Sequence, residues 1–294
     1  MPRIVTNGLL QPCPARLIVT ILVALAAMAF TACDNSGGNG SGDGAGPGPT
    51  IVRPTPEGEP RRLMLGFSAL PTERTTSAYI GAIATAAQYG DVLLIHRTPP
   101  WEDFLPGSDI SSQTADLTRL ETQLLEQYGH LKLVFAIDPT DAAVQRARIA
   151  DLPSRFDPQE GFRNPQIRQA FVAYTAYVVK NYDPEYLALG MEVNMLRDRA
   201  PGQYAAFLSL YEEAFAVARE ANPATKIFPT FQLEDLEGLL DRPHDPQWDI
   251  LDDFRGRMDV LAVTTYPYLT GVRSAAQIRP DYYAQLRDRF TGEI

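Results

Sequence analysis

The chain has 294 residues, 45% of them hydrophobic, and 36 acidic against 26 basic side chains give a formal net charge of −10 at pH 7. That balance argues against nucleic acid and anionic polymers as partners and leaves neutral sugars open. With two cysteines and three histidines, neither a disulfide framework, a zinc site nor any other cofactor is expected.

Arg3 and Arg16 precede an apolar run over 17–30, too short for a comfortable membrane span and shaped like the hydrophobic region of a secretory signal. Residues 34–61 are rich in Gly, Pro, Ser and Asp and read as a disordered tether. The folded body is expected over 62–294 as one domain, since no second linker interrupts it. It begins with a strand over 62–70, then a helix over 75–89 stopped at Gly90, a strand over 91–96 and a helix over 112–128. A third strand covers 131–137, and Asn164-Pro165 opens a helix over 164–181 in the N-cap and first-turn positions. A strand over 186–190 leads to a helix over 201–221, a strand over 226–231, a helix around 248–254, a strand over 260–264 and a helix over 280–290.

Strand and helix thus alternate through about six βα units, which fits either a doubly wound sheet or a (β/α)8 barrel. None of the first three strand ends carries the Gly-x-Gly-x-x-Gly of a dinucleotide fold, so the α/β fold class expected is the (β/α)8 TIM barrel. Thr291-Gly292-Glu293-Ile294 reads as the turn into a seventh strand. The expectation is therefore a barrel shortened by about two βα units, poorly soluble at the exposed edges of its first and sixth strands.

In Tyr186-Leu187-Ala188-Leu189-Gly190-Met191-Glu192-Val193-Asn194, an apolar strand gives way to a carboxylate where ligands bind, at the strand's carboxyl end. This stretch resembles the fourth-strand motif of clan A glycoside hydrolases. Asp259-Val260-Leu261-Ala262-Val263-Thr264-Thr265-Tyr266-Pro267-Tyr268 is similar to the corresponding strand of family 53 endo-β-1,4-galactanases. The resemblance implies a carbohydrate substrate, Glu192 as general acid/base and Tyr266 lining the catalytic pocket. It also implies Arg97 as the arginine that supports the nucleophile. That nucleophile, a Glu of the seventh strand, would lie beyond Ile294, so little activity is expected of the chain as it stands. Met191 departs from the family's Asn, and Asn194 is the candidate to replace its hydrogen bond. The sugar-binding candidates are completed by Trp101 as a stacking platform, His96, Asp138 and Tyr268.

Phe30-Thr31-Ala32-Cys33 resembles the lipobox of bacterial lipoproteins, which implies cleavage before Cys33, a lipid anchor on its thiol and a monomer held at a membrane, on its periplasmic or extracellular face. Three alternatives stay open. Asp138, Glu234 or Asp235 could act as a base at inverting distance; Glu192 could pair structurally with Arg97 or Arg197; and the barrel could bind glycans or serve the cell envelope without catalysis.

Overall fold

The computed structural model describes residues 63–240 and 244–294; the signal segment, Cys33 and the tether lie outside the described residues. Five parallel strands lie side by side in chain order: β1 (Gly66–Ser68), β2 (Val92–Arg97), β3 (Lys132–Ile137), β4 (Tyr186–Leu189) and β5 (Lys226–Phe228). Pro229, which has no N–H to donate, separates β5 from β6 (Thr230–Gln232). The ladder nonetheless continues, because the Thr230 amide donates to the Gly190 carbonyl at 3.1 Å. β6 pairs in parallel with β7 (Ala262–Thr264), and beyond it Val260 forms a parallel bridge with Glu293. Parallel strands adjacent in both space and sequence, each returning through a helical layer, define an arc of a (β/α) barrel; a doubly wound sheet would reverse its strand order.

The helices are α1 (Thr76–Tyr89), α2 (Trp101–Phe104), α3 (Ser112–Gln127), α4 (Pro165–Tyr182), α5 (Val193–Arg199), α6 (Pro201–Ala221), α7 (Leu233–Leu236), α8 (Ile250–Asp253) and α9 (Leu286–Arg289). Local chemistry sets their starts. The Thr75 hydroxyl caps α1 through the Ala78 amide, Ser111 caps α3 through Thr114, and the Asn164 side chain caps α4 through the Gln166 and Ile167 amides. The helix expected over 280–290 is reduced to the single turn of α9.

Strand alternation sorts the side chains into two cores. Leu93, Ile95, Phe135, Ile137, Leu187, Leu189 and Ile227 face the helices in one large core. Ala136, Tyr186, Ala188, Met191, Phe228 and Val260 fill the inside of the arc. The register puts His96 beside Ala136 and Ala136 beside Ala188, with Ala188 beside Phe228 in turn. Residues of this parity point inward, and the next residue along each strand points out.

Candidate active site

At the carboxyl end of β4 the chain turns sharply. Gly190 has φ +91°, and a Cβ there would stand 2.6 Å from Cζ of Phe207, so only glycine fits. Glu192 follows with φ 52°, a left-handed conformation that costs a non-glycine residue about 1–2 kcal/mol. Its amide donates to the Thr230 hydroxyl oxygen at 2.9 Å, which fixes the turn against β6. Strained backbone of this kind clusters at functional sites.

Glu192 is 8% exposed, and both its carboxylate oxygens are engaged. Oε2 accepts from Arg146 Nε at 2.9 Å, and Oε1 from the Thr264 hydroxyl, on β7, at 2.7 Å. Arg146, itself buried, also donates through Nη1 to Asp138 Oδ2 at 2.6 Å and to the Thr140 carbonyl at 3.1 Å. Asp138 Oδ2 meets His96 Nε2 at 2.9 Å, while Oδ1 accepts from the Thr140 amide and hydroxyl. Glu192, Arg146, Asp138 and His96 therefore form one chain of charge and hydrogen bonds across the mouth of the arc. Burial alone would raise the Asp138 carboxyl, but Arg146, His96 and the Thr140 amide outweigh it and hold it below the ordinary aspartate value. Burial would likewise lower Arg146, and the charges of Asp138 and Glu192 overcome that.

Tyr266 and Tyr268 stand on the rim beyond β7, 37% and 52% exposed, with their rings 6.2 Å apart and nearly perpendicular. Burial, and then the nearby charge of Glu192, push the Tyr266 phenol up to about 12. Beneath them Met191 packs inside the arc, its sulfur 3.6 Å from the Thr230 hydroxyl.

The structure brings together Glu192, Asp138, His96, Tyr266 and Tyr268, but moves three expected residues elsewhere. Arg97 has the outward parity of Ile95, so its guanidinium lies in the helical layer. There it pairs with the fully buried Glu121 at 2.6 Å and meets the Tyr182 hydroxyl at 3.4 Å. Trp101 is not an exposed platform: it is 2% exposed, packs against Phe171, and donates its indole N–H to the Ala150 carbonyl at 2.8 Å. Asn194 lies in α5, fully buried, with its amide committed to Gln232 and Asp235; it offers no hydrogen bond to a sugar in place of Met191.

The candidate bases fare differently. Glu234 is enclosed by the Thr265 hydroxyl, the Tyr266 amide and the Tyr282 hydroxyl. Asp235 is held by Asn194 and Arg199. Asp138 does reach Glu192's side, yet protein donors saturate its oxygens, so its contacts anchor Arg146. The sequence reading missed Arg146, Thr264 and Thr230. Arg146 sits in a 27-residue connection between β3 and α4, where no periodicity marks a buried side chain. The open alternative of a structural ion pair for Glu192 named Arg97 or Arg197; the structure pairs Glu192 with Arg146, Arg97 with Glu121 and Arg197 with Asp249.

No protein-family model matches the chain, and no curated protein does. Among solved structures, it is similar to an exo-β-1,4-mannosidase from Opitutaceae bacterium strain TAV5 (17% identity, 62% of this chain and 34% of that one, TM-score 0.46). It is also similar to a β-glucosidase from Thermotoga maritima (16% identity, 64% and 52%, TM-score 0.43) and to the GH53 catalytic domain of Ignisphaera aggregans (15% identity, 69% and 55%, TM-score 0.39). The chain spans between about a third and about a half of the length of these proteins.

Proposed function

We propose that this protein is a glycoside hydrolase-type barrel acting on a β-linked saccharide, with Glu192 as the acid/base. On this reading it works outside the cytoplasm, as a monomer anchored through a lipid on Cys33. The observation that carries the proposal is a buried carboxylate held in a strained turn at the carboxyl end of a parallel strand, beneath two partly exposed tyrosines. The Thr264 hydroxyl suits both protonation states of an acid/base, because it donates to a carboxylate and accepts from a carboxylic acid. Proton delivery to a leaving glycosidic oxygen needs one Glu192 oxygen to turn toward the mouth; Arg146, tied to Asp138 as well, keeps the other in place.

A second reading, a glycan-binding barrel without hydrolysis, is favoured by Met191 inside the arc and by the full occupancy of both Glu192 oxygens. One experiment separates the two. Hydrolysis and binding of β-1,4-linked galactose, mannose and glucose oligosaccharides are measured for wild type and Glu192→Gln in the full-length protein, with any seventh-strand carboxylate included. The enzyme reading expects binding in both, with hydrolysis lowered at least about a hundredfold in the variant. Equal hydrolysis in the two proteins removes Glu192 from the mechanism. Binding without hydrolysis in either supports the second reading, and no binding at all sinks both.

A further inference from the structure

Glu234, in the first turn of α7 just past β6, is fully buried, and the donors that reach its carboxylate are all neutral. Oε2 accepts from the Gln232 side-chain amide at 2.5 Å. Oε1 accepts from the Thr265 hydroxyl at 2.7 Å, the Tyr266 amide at 2.9 Å and the Tyr282 hydroxyl at 2.6 Å. A carboxylate taken out of water normally has a cationic partner, as Glu192 has Arg146 and Glu121 has Arg97. Glu234 has main-chain and side-chain N–H and O–H groups instead, and those on Oε1 all come from one segment.

That segment is the rim of the mouth. Thr264 donates to Glu192 and its neighbour Thr265 donates to Glu234, so adjacent threonines at the end of β7 join the two buried carboxylates. Tyr266 follows, and the chain then runs through two short 3₁₀ turns, Pro267–Thr270 and Ala275–Gln277. Tyr282 brings it back to the same Glu234 oxygen. No residue from 267 to 281 is buried; Ile278 packs against the large core, and the capping box of Ser274 and Gln277 is internal to the loop. A loop with so little apolar burial of its own opens at low cost. Burial, and then the Glu234 contact, raise the Tyr282 phenol, so its hydroxyl remains a donor while Glu234 is ionised.

We propose that Glu234 is a positioning residue for saccharide recognition: it clasps both ends of the 266–282 loop and so holds Tyr266 and Tyr268 at the Glu192 mouth, where their rings meet the sugar. The proposal rests on the saccharide reading of the mouth but not on Glu192 acting as an acid. Its physical content is that one buried oxygen does for this loop what a packed apolar face does for the helices. A sugar in contact with both rings would in turn hold the loop down.

The test reads binding and local opening together in the full-length protein. Within 267–281 trypsin can cut after the exposed Arg273, whereas Arg279 is protected by Pro280. Tyr282→Phe removes one Oε1 donor and keeps the ring. Glu234→Gln keeps the shape, but its NH2 in the Oε2 position would face the Gln232 amide, which cannot turn because its oxygen accepts the Asp235 amide. Calorimetry measures the affinity for β-1,4-linked galactose, mannose and glucose oligosaccharides, peptide mass follows cleavage with and without saccharide, and thermal melts check folding. In both variants cleavage after Arg273 should be about tenfold faster and saccharide binding about tenfold weaker. Tyr282→Phe should melt within about 3 °C of wild type, and saccharide should slow the wild-type cleavage. Faster cleavage with undiminished binding in both variants overturns the positioning role, as does unchanged cleavage in both. Weaker binding with faster cleavage throughout the chain reduces Glu234 to a general stabiliser and also overturns it. A wild type that binds none of the saccharides refutes the saccharide reading and the proposal together. Equal hydrolysis by wild type and Glu192→Gln, with binding and cleavage as expected, fails the acid/base role alone.

Discussion

Arg146→Met removes the guanidinium that joins Glu192 to Asp138 and leaves a side chain of similar length. Arg146, Asp138 and Glu192 are 5%, 4% and 8% exposed, so water cannot replace the lost contacts without opening the loop. Breaking a buried ion pair by deleting one partner costs about 3–5 kcal/mol. Here a single deletion strips partners from two carboxylates, which places the loss toward the upper part of that range. For a chain of this size about 1 kcal/mol moves the melting temperature by about 2–4 °C, so a fall of roughly 6–20 °C is expected at pH 7. The pH dependence follows from Asp138, whose carboxyl is held below its unfolded value. Its contribution is full above the unfolded value of about 3.9 and is lost as pH falls through the lower folded value. In Arg146→Met the largest of the lowering contacts is gone and only His96 and Thr140 oppose burial, so the Asp138 carboxyl rises and the variant loses less stability than wild type as protons are supplied. The gap between the two proteins should therefore narrow from pH 7 toward about pH 4. Circular-dichroism melts at several pH values measure it. A loss under about 1 kcal/mol, or a gap that does not change with pH, refutes the view that Arg146 neutralises a buried carboxylate pair.

Gly190→Ala combines a left-handed backbone penalty of about 1–2 kcal/mol with overpacking against Phe207 of about 1–3 kcal/mol; a melting temperature within a degree or two of wild type contradicts the tight turn. Glu121→Gln takes the charge partner from Arg97 and alters the acceptor of the Tyr79 and Tyr182 hydroxyls. Denaturant unfolding should show a loss of about 3–5 kcal/mol, with saccharide binding at the mouth unaffected by this change in the outer layer. A Glu192→Gln protein should show the Tyr266 phenol ionising below its wild-type value of about 12, because removing a neighbouring negative charge favours the phenolate; the ultraviolet titration is isolated by subtracting Tyr266→Phe.

The elements were legible where one signal dominated. The helix expected over 201–221 is observed as Pro201–Ala221, because its apolar spacing is regular and Pro201 marks its start. The strand expected over 226–231 is broken at Pro229, a residue whose missing donor was plain in the sequence. No element was expected between 190 and 201, yet residues 193–199 wind into α5 directly after the turn that orients Glu192. Arg97 and His96 show how parity was overlooked: Leu93 and Ile95 define the helix-facing side of β2, so Arg97 belongs with them and His96 with the interior. Glu192 was legible because a carboxylate ending an apolar strand is conspicuous. Its guanidinium partner was not, since no local pattern joins position 146 to position 192; only the folded path of the 138–164 segment does.

Met191 gives the mouth a chemical vulnerability that its carboxylates and arginine do not share. A thioether is oxidised to a polar, chiral sulfoxide, and this one lies in the small apolar cluster inside the arc, against the Thr230 hydroxyl that accepts the Glu192 amide. Peroxide that reached this sulfur would put a strong acceptor beside that hydroxyl and disturb the Glu192 turn from below, with no change in sequence. A methionine sulfoxide reductase would reverse the damage, so peptide mass should rise by one oxygen as saccharide binding falls, and both should return to their starting values on reduction.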